Sequence, residues 1–162
     1  MTDIVSPEKR SKMMSGIRGK NTRPELLVRK SIFAEGLRFR LHRKDLPGNP
    51  DIVLPRKQVI IFVHGCFWHQ HQGCRLAKLP TTNSNFWLKK LKGNSARDKK
   101  VAEELNSLGW RVLTIWECVT KDQAALQVLG RLIFEWIEGE EVMGSIPEYM
   151  DAEDNIQLEM NS

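Results

Sequence analysis

Residues 64–74 read HGCFWHQHQGC, which puts three histidines, two cysteines and an adjacent Phe67-Trp68 within eleven positions. Cys66, His71 and Cys74 form C-x4-H-x2-C, and Cys118 is the one remaining cysteine. Thiolate and imidazole are the ligands zinc prefers, and Cys3His is a closed tetrahedral set. A bound ion would pin a polar loop that has little core of its own. The spacing is not the C-x2-C pair of common zinc fingers, so buried free thiols are the alternative. His69 could also replace His71 as the nitrogen ligand.

Asp51 follows LPGNP at the mouth of two apolar runs, and His64 ends the second run, QVIIFVH. The two could face each other across a hairpin. A carboxylate at a strand start beside histidines suits Mg²⁺-assisted hydrolysis. Glu25, in the first turn of a helix, could join them. Taken singly, Glu25 is better explained by the positive end of the helix dipole, and Asp51 by a turn. Only the cluster lifts either above that.

Two large aromatics usually mean core. Phe67-Trp68 lies instead on a loop between metal-ligand candidates, where it could serve as a wedge that unstacks nucleic-acid bases. Met14, in a basic arm, could enter from the other side of a clamp. Lys89, Lys90, Lys92, Arg97, Lys99 and Lys100 crowd one helical segment and would suit phosphates, although a solvated face explains them equally well.

Several elements must position these groups. NTRPELLVRKSIFAEGL reads as a helix capped by Asn21 or Thr22, with Pro24 in its first turn and Gly36 at its end. Its expected apolar face is Leu26, Leu27, Ile32 and Phe33. RFRLH (38–42) alternates like a strand, and DIVL and QVIIFV flank PRK as a hairpin. FWLKKLKGNSARDKKVAEELNSLG is helical with a break expected near Gly93-Asn94. WRVLTIWECV reads as a strand and DQAALQVLGRLIFEWIEG as a closing helix. This order predicts an α/β layer structure with a mixed sheet.

The 162 residues suit one domain with a hydrophobic core. No apolar run is long enough for a membrane helix, and MTDIVSPEKR lacks the apolar stretch of a secretory signal, so a cytoplasmic location is expected. Three cysteines cannot all pair, and a cytosolic chain keeps them reduced, which turns suspicion towards metal. Charge is unevenly spread. Positions 1–138 carry 25 basic against 13 acidic residues, about +12, whereas Gly139–Ser162 holds seven acids and no lysine or arginine. A body that basic suggests a polyanion partner. Residues 1–20 read as a basic arm, 21–139 as the domain, and 140–162 as an acidic, flexible tail.

PGNPD (47–51), HGCFWHQH (64–71), FWLKK (86–90), N-x3-RD (94–98) and LGWRVLTIWEC (108–118) closely resemble the very short patch repair (Vsr) mismatch endonucleases, in order, over about residues 11–139. The resemblance implies a restriction-endonuclease-like core: a central mixed β-sheet flanked by helices, with a zinc-pinned loop. The second acid and lysine usual in that superfamily's strand motif are replaced by IFVH, so histidines must carry the proton chemistry. It further implies a nick in one strand of double-stranded DNA, 5′ to the thymine of a T·G mismatch left by 5-methylcytosine deamination.

By the same resemblance, Asp51 and the backbone carbonyl of Val63 bind catalytic Mg²⁺. His69 is the general base, and His64 positions or protonates the scissile phosphate. Glu25 and Asp98 hold waters around the ion or orient the histidines. Cys66, His71, Cys74 and Cys118 bind structural Zn²⁺, with Gly73 absorbing one extra residue before Cys74. Met14, Phe67 and Trp68 intercalate, Lys90 reads the mismatched pair, and Asn94 joins the DNA contacts. The expected partner in function is a DNA cytosine-5 methyltransferase, and the expected state is a monomer. Two other functions fit the residues: a restriction-type endonuclease on matched DNA, and a zinc-stabilised DNA-binding module without catalysis.

Overall fold

The computed structural model describes residues 21–147. Helix α1 (Arg23–Ala34) starts where sequence chemistry places it: Thr22 Oγ1 accepts from the Glu25 N–H at 3.4 Å, and Pro24 sits in the first turn. Glu25 Oε2 reaches back to accept from the Asn21 N–H at 2.7 Å, a close variant of the reciprocal capping box. The buried face of α1 is Glu25, Val28 and Ile32, whereas Leu26 and Phe33 are exposed. The expected face was therefore rotated, because it counted Leu and Phe and passed over Val28.

Among the described residues five strands follow in the order β1 (Arg40–Leu41), β2 (Ile52–Leu54), β3 (Val59–His64), β4 (Arg111–Trp116) and β5 (Met143–Ile146). The pairs β1–β2 and β2–β3 are antiparallel, and β3–β4 and β4–β5 are parallel, so the sheet is mixed as expected. The strand expected over 38–42 shrinks to two residues. Side chains of β2 and β3 alternate between two buried clusters, which explains why both strands are apolar throughout. Val59 and Ile61 join Val28, Ile32, Leu129 and Ile133 under α1 and α4 (Gln123–Glu138). Ile60 and Phe62 join Leu105 of helix α2 (Ser84–Ser107) on the other face.

Three differences from the sequence reading matter for the site. Helix α2 runs unbroken for 24 residues through Gly93-Asn94. Strand β4 ends at Trp116, and Cys118 lies on a short helical turn, α3 (Glu117–Thr120), rather than in the strand. Finally, Met143–Ile146 adds β5 within the stretch read as tail. Arg111 secures that end of the fold by donating to the backbone carbonyls of Trp136, Ile137, Gly139 and Glu141. The basic arm, Met14 and residues 148–162 lie outside the described residues. Among the described residues no helix is long and apolar enough to cross a membrane.

Candidate active site and metal centre

The C-terminal ends of the parallel strands β3 and β4 open onto a cleft of about 1240 Å³ lined by Glu25, Asp51, Val63, His64, His69 and Asp98, among others. Its acidic wall forms where α1 meets the start of β2. Asp51 Oδ2 accepts from the Val63 N–H at 3.1 Å across the hairpin. Burial raises the Asp51 carboxyl to about 7, opposed by the Val63 N–H and reinforced by neighbouring Glu25. Arg29 donates to Glu25 Oε2 at 3.0 Å and contacts His42 Nε2 at 3.0 Å. Since a guanidinium only donates, His42 Nε2 is the acceptor.

Two carboxylates, buried Glu25 and half-buried Asp51, sharing one corner call for a proton or a cation, and a hard divalent ion with oxygen ligands meets that need. A strand residue directs its N–H and C=O to the same edge, so the Val63 carbonyl lies on the Asp51 side of β3. The donors at this corner therefore fit a divalent cation.

Across the cleft, His69 Nδ1 donates to Asp98 Oδ2 at 2.5 Å, leaving Nε2 as the ring atom that can take a proton. The rings of His64 and His69 stack with centroids 3.9 Å apart. Burial, with His69 alongside, lowers His64 to about 3.

The thiol and imidazole candidates also converge. The metal-binding atoms of Cys66, His71, Cys74 and Cys118 all lie within 4.8 Å of one another. His71 Nδ1 is 3.6 Å from Cys66 Sγ and 3.5 Å from Cys118 Sγ. A tetrahedral ion with Zn–S of about 2.3 Å and Zn–N of about 2.0–2.1 Å separates these atoms by about 3.6 Å, so the set fits zinc. His71 takes this position and His69 does not. The ring of His71 stacks on Trp116 at 4.2 Å, and Glu117 Oε1 accepts from the Cys66 N–H at 3.2 Å. The α3 turn thus swings Cys118 towards the loop. Burial pushes the Cys66 and Cys118 thiols up and lowers His71.

Between the two centres, Trp68 is exposed and Phe67 half-buried, with their rings 5.1 Å apart. Lys90 Nζ lies 5.8 Å from the ring of Trp68, and Asn94 Nδ2 donates to the Trp68 carbonyl at 3.1 Å. Three contributors were not singled out from sequence. Trp87 packs against Phe67 and Trp68, Gln70 donates to the Phe67 carbonyl at 2.8 Å, and Ser95 donates to the His69 carbonyl at 3.1 Å. Trp87 was open to detection, since FWLKK places a second large aromatic on the helix with the basic cluster. A serine inside a helix gives no such signal.

A mixed sheet between helices, with carboxylates and histidines gathered at one end of its central strands, defines a restriction-endonuclease-like hydrolase. A family model described as DNA mismatch endonuclease Vsr matches residues 2–75. The DNA mismatch endonuclease Vsr of Escherichia coli is 40% identical over 142 residues, covering 86% of this chain and 90% of that protein. The type II nicking enzyme V.XorIIP of Xanthomonas oryzae pv. oryzae is 49% identical over 135 residues, covering 83% and 98% respectively. This chain belongs to the Vsr family of DNA mismatch endonucleases and is a nuclease.

Proposed function

We propose that this endonuclease nicks one strand of duplex DNA 5′ to the thymine of a T·G mismatch, by Mg²⁺-dependent hydrolysis. The observation that carries the reading is the shared loop: the exposed ring of Trp68 and the Asp98-paired His69 are consecutive residues at the mouth of one cleft. A T·G wobble is less costly to unstack than a matched pair, so a wedge at that mouth favours the mismatch by a few kcal/mol at most. The mismatch endonuclease and nicking-enzyme relatives support the same reaction class.

Asp51 and the Val63 carbonyl would hold Mg²⁺, which when bound offsets charge on the attacked phosphate. Glu25, locked by Asn21 and Arg29, keeps the Asp51 corner in place. His69 Nε2 takes a proton from the attacking water while Asp98 fixes the opposite nitrogen, the orientation a general base needs. As the water oxygen bonds to phosphorus, the bond to the leaving sugar oxygen breaks and that oxygen takes a proton from solvent water in the open cleft. Buried, uncharged His64 positions the phosphate and holds the His69 ring by stacking. Cys66, His71, Cys74 and Cys118 would hold Zn²⁺ and keep the loop in shape. Lys90 and Asn94 face the mismatched pair. One strand is cut, so one site and a monomer suffice. T·G mismatches arise where a cytosine-5 methyltransferase acts, which makes such an enzyme the functional partner.

The test uses two duplexes identical except for T·G or C·G at one position, end-labelled on either strand and incubated with Mg²⁺ across several flanking sequences. A nick 5′ to the mismatched thymine, on that strand alone, is the expected result. Equal cutting of both duplexes would instead indicate a restriction-type nuclease. Binding without cleavage by folded, zinc-loaded protein would indicate a binding module.

A further inference from the structure

Five residues of α2, Trp87, Lys90, Asn94, Ser95 and Asp98, recur at helical spacing on one face, and each meets the wedge loop. The Trp87 ring lies 5.5 Å from that of Phe67 and 6.0 Å from that of Trp68. One turn on, Lys90 Nζ stands 5.8 Å from the Trp68 ring. Asn94 then donates to the Trp68 carbonyl and Ser95 to the His69 carbonyl, both at 3.1 Å. Asp98 finally accepts from His69 Nδ1 at 2.5 Å. Loop and helix run in step, residue by residue.

The Ser95 contact is an unusual use of its hydroxyl. A serine inside a helix commonly bonds a carbonyl one turn back in its own helix. Ser95 instead reaches out to the neighbouring loop. His69 is thereby held at two points, its carbonyl by Ser95 and its ring by Asp98, from positions one turn apart on a rigid element. The residue before it, Trp68, is held by the position before Ser95.

We propose that Ser95 is a positioning residue for His69, and that the Asn94-Ser95 pair makes α2 a common rail joining the wedge to the base. Base stacking that shifts Trp68 then displaces His69 only as far as the rail allows, so the two remain in register when a mismatch is opened. The proposal rests on His69 being the base. A carbonyl that loses its donor frees the backbone at that point, and misplacement of a catalytic group by about 1 Å costs up to about 10²-fold in rate.

The experiment compares wild type, Ser95→Ala and Ser95→Thr in single-turnover nicking of a T·G duplex with 2-aminopurine beside the mismatched thymine. Zinc content and thermal midpoint confirm folding in each. Expected for Ser95→Ala is unchanged duplex affinity, an unchanged rise in 2-aminopurine fluorescence on unstacking, and a nicking rate at saturation about tenfold lower. Ser95→Thr, which restores the hydroxyl, should return to within about twofold of wild type. Wild-type turnover by Ser95→Ala overturns the proposal. So does equal loss of binding and turnover in both variants, which would make Ser95 merely structural. Failure of the wild-type protein to distinguish T·G from C·G would overturn the function itself, and is read from a separate arm.

Discussion

The rings of His64 and His69 lie face to face, 3.9 Å apart and 5° from parallel, and only His69 has a carboxylate partner. Two imidazolium rings so placed would repel, and burial together with His69 pushes His64 down to about 3. Burial thus favours the neutral form of His64, and the Asp98-paired His69 is the base proposed above. Replacing His69 with alanine should cost about 10²–10⁴-fold in nicking rate. His64→Gln should slow the reaction less than His69→Ala does. A larger loss in His64→Gln than in His69→Ala would reverse the two assignments. The depressed His64 also makes a stability contribution that is complete above its ordinary value of 6.5 and declines as pH falls towards 3.

The Asp51 carboxyl sits in a corner that favours its neutral form, at about 7 against an ordinary 3.8, because burial outweighs the Val63 N–H. A raised carboxyl contributes stability that is fully present below 3.8 and is lost as pH rises through 7. Asp51→Asn keeps an acceptor for the Val63 N–H while removing the buried charge. Melting curves without divalent ions should therefore show the variant more stable than wild type at pH 8, with the gap narrowing as pH falls from 7 to 4. The same variant should not nick. A variant less stable than wild type at pH 8 would contradict the buried-charge account, and wild-type nicking would remove Asp51 from the site.

Zinc should be present at one ion per chain, held by Cys66, His71, Cys74 and Cys118. These four join the loop to α3, and through the stack of His71 on Trp116 they also support the end of β4. Cys118→Ala should leave the site without its cross-link between distant segments. We expect loss of bound zinc and a fall in melting temperature of about 10 °C, corresponding to roughly 3 kcal/mol or more in a domain of this size. Metal analysis beside calorimetry checks both. Full zinc retention in that variant would exclude Cys118 as a ligand.

The features legible in the sequence were those set by local chemistry. The Thr22 cap, the Asp51 hairpin and the compact C-x4-H-x2-C spacing depend on nearby residues, and they appear where expected. Other features depend on distant contacts. Met143–Ile146 carries no strand pattern, yet it pairs with β4 because the edge of β4 is available and Arg111 anchors the approach. Val28 outranks Leu26 and Phe33 in burial because the sheet and α4 fix which side of α1 faces inward. The link from Ser95 to His69 joins positions 26 apart, and neither residue type announces it.

Gly93 and Gly130 both lie inside helices and should respond oppositely to alanine. Helix α2 continues through Gly93, and a Cβ built there meets nothing within 4 Å. Alanine removes backbone freedom from the unfolded chain and improves helix propensity by about 0.5–1 kcal/mol. A Cβ at Gly130 would lie 2.6 Å from the Ser31 carbonyl oxygen, because α4 crosses α1 at that point. Backbone must move to admit it, at a cost of about 1–3 kcal/mol. Gly93→Ala should raise the melting temperature by about 1–4 °C, and Gly130→Ala should lower it by several degrees. Nicking by Gly93→Ala at the wild-type rate would show that α2 works as a rigid rail. A stabilised but slow Gly93→Ala would show instead that the helix must flex there when the wedge enters DNA.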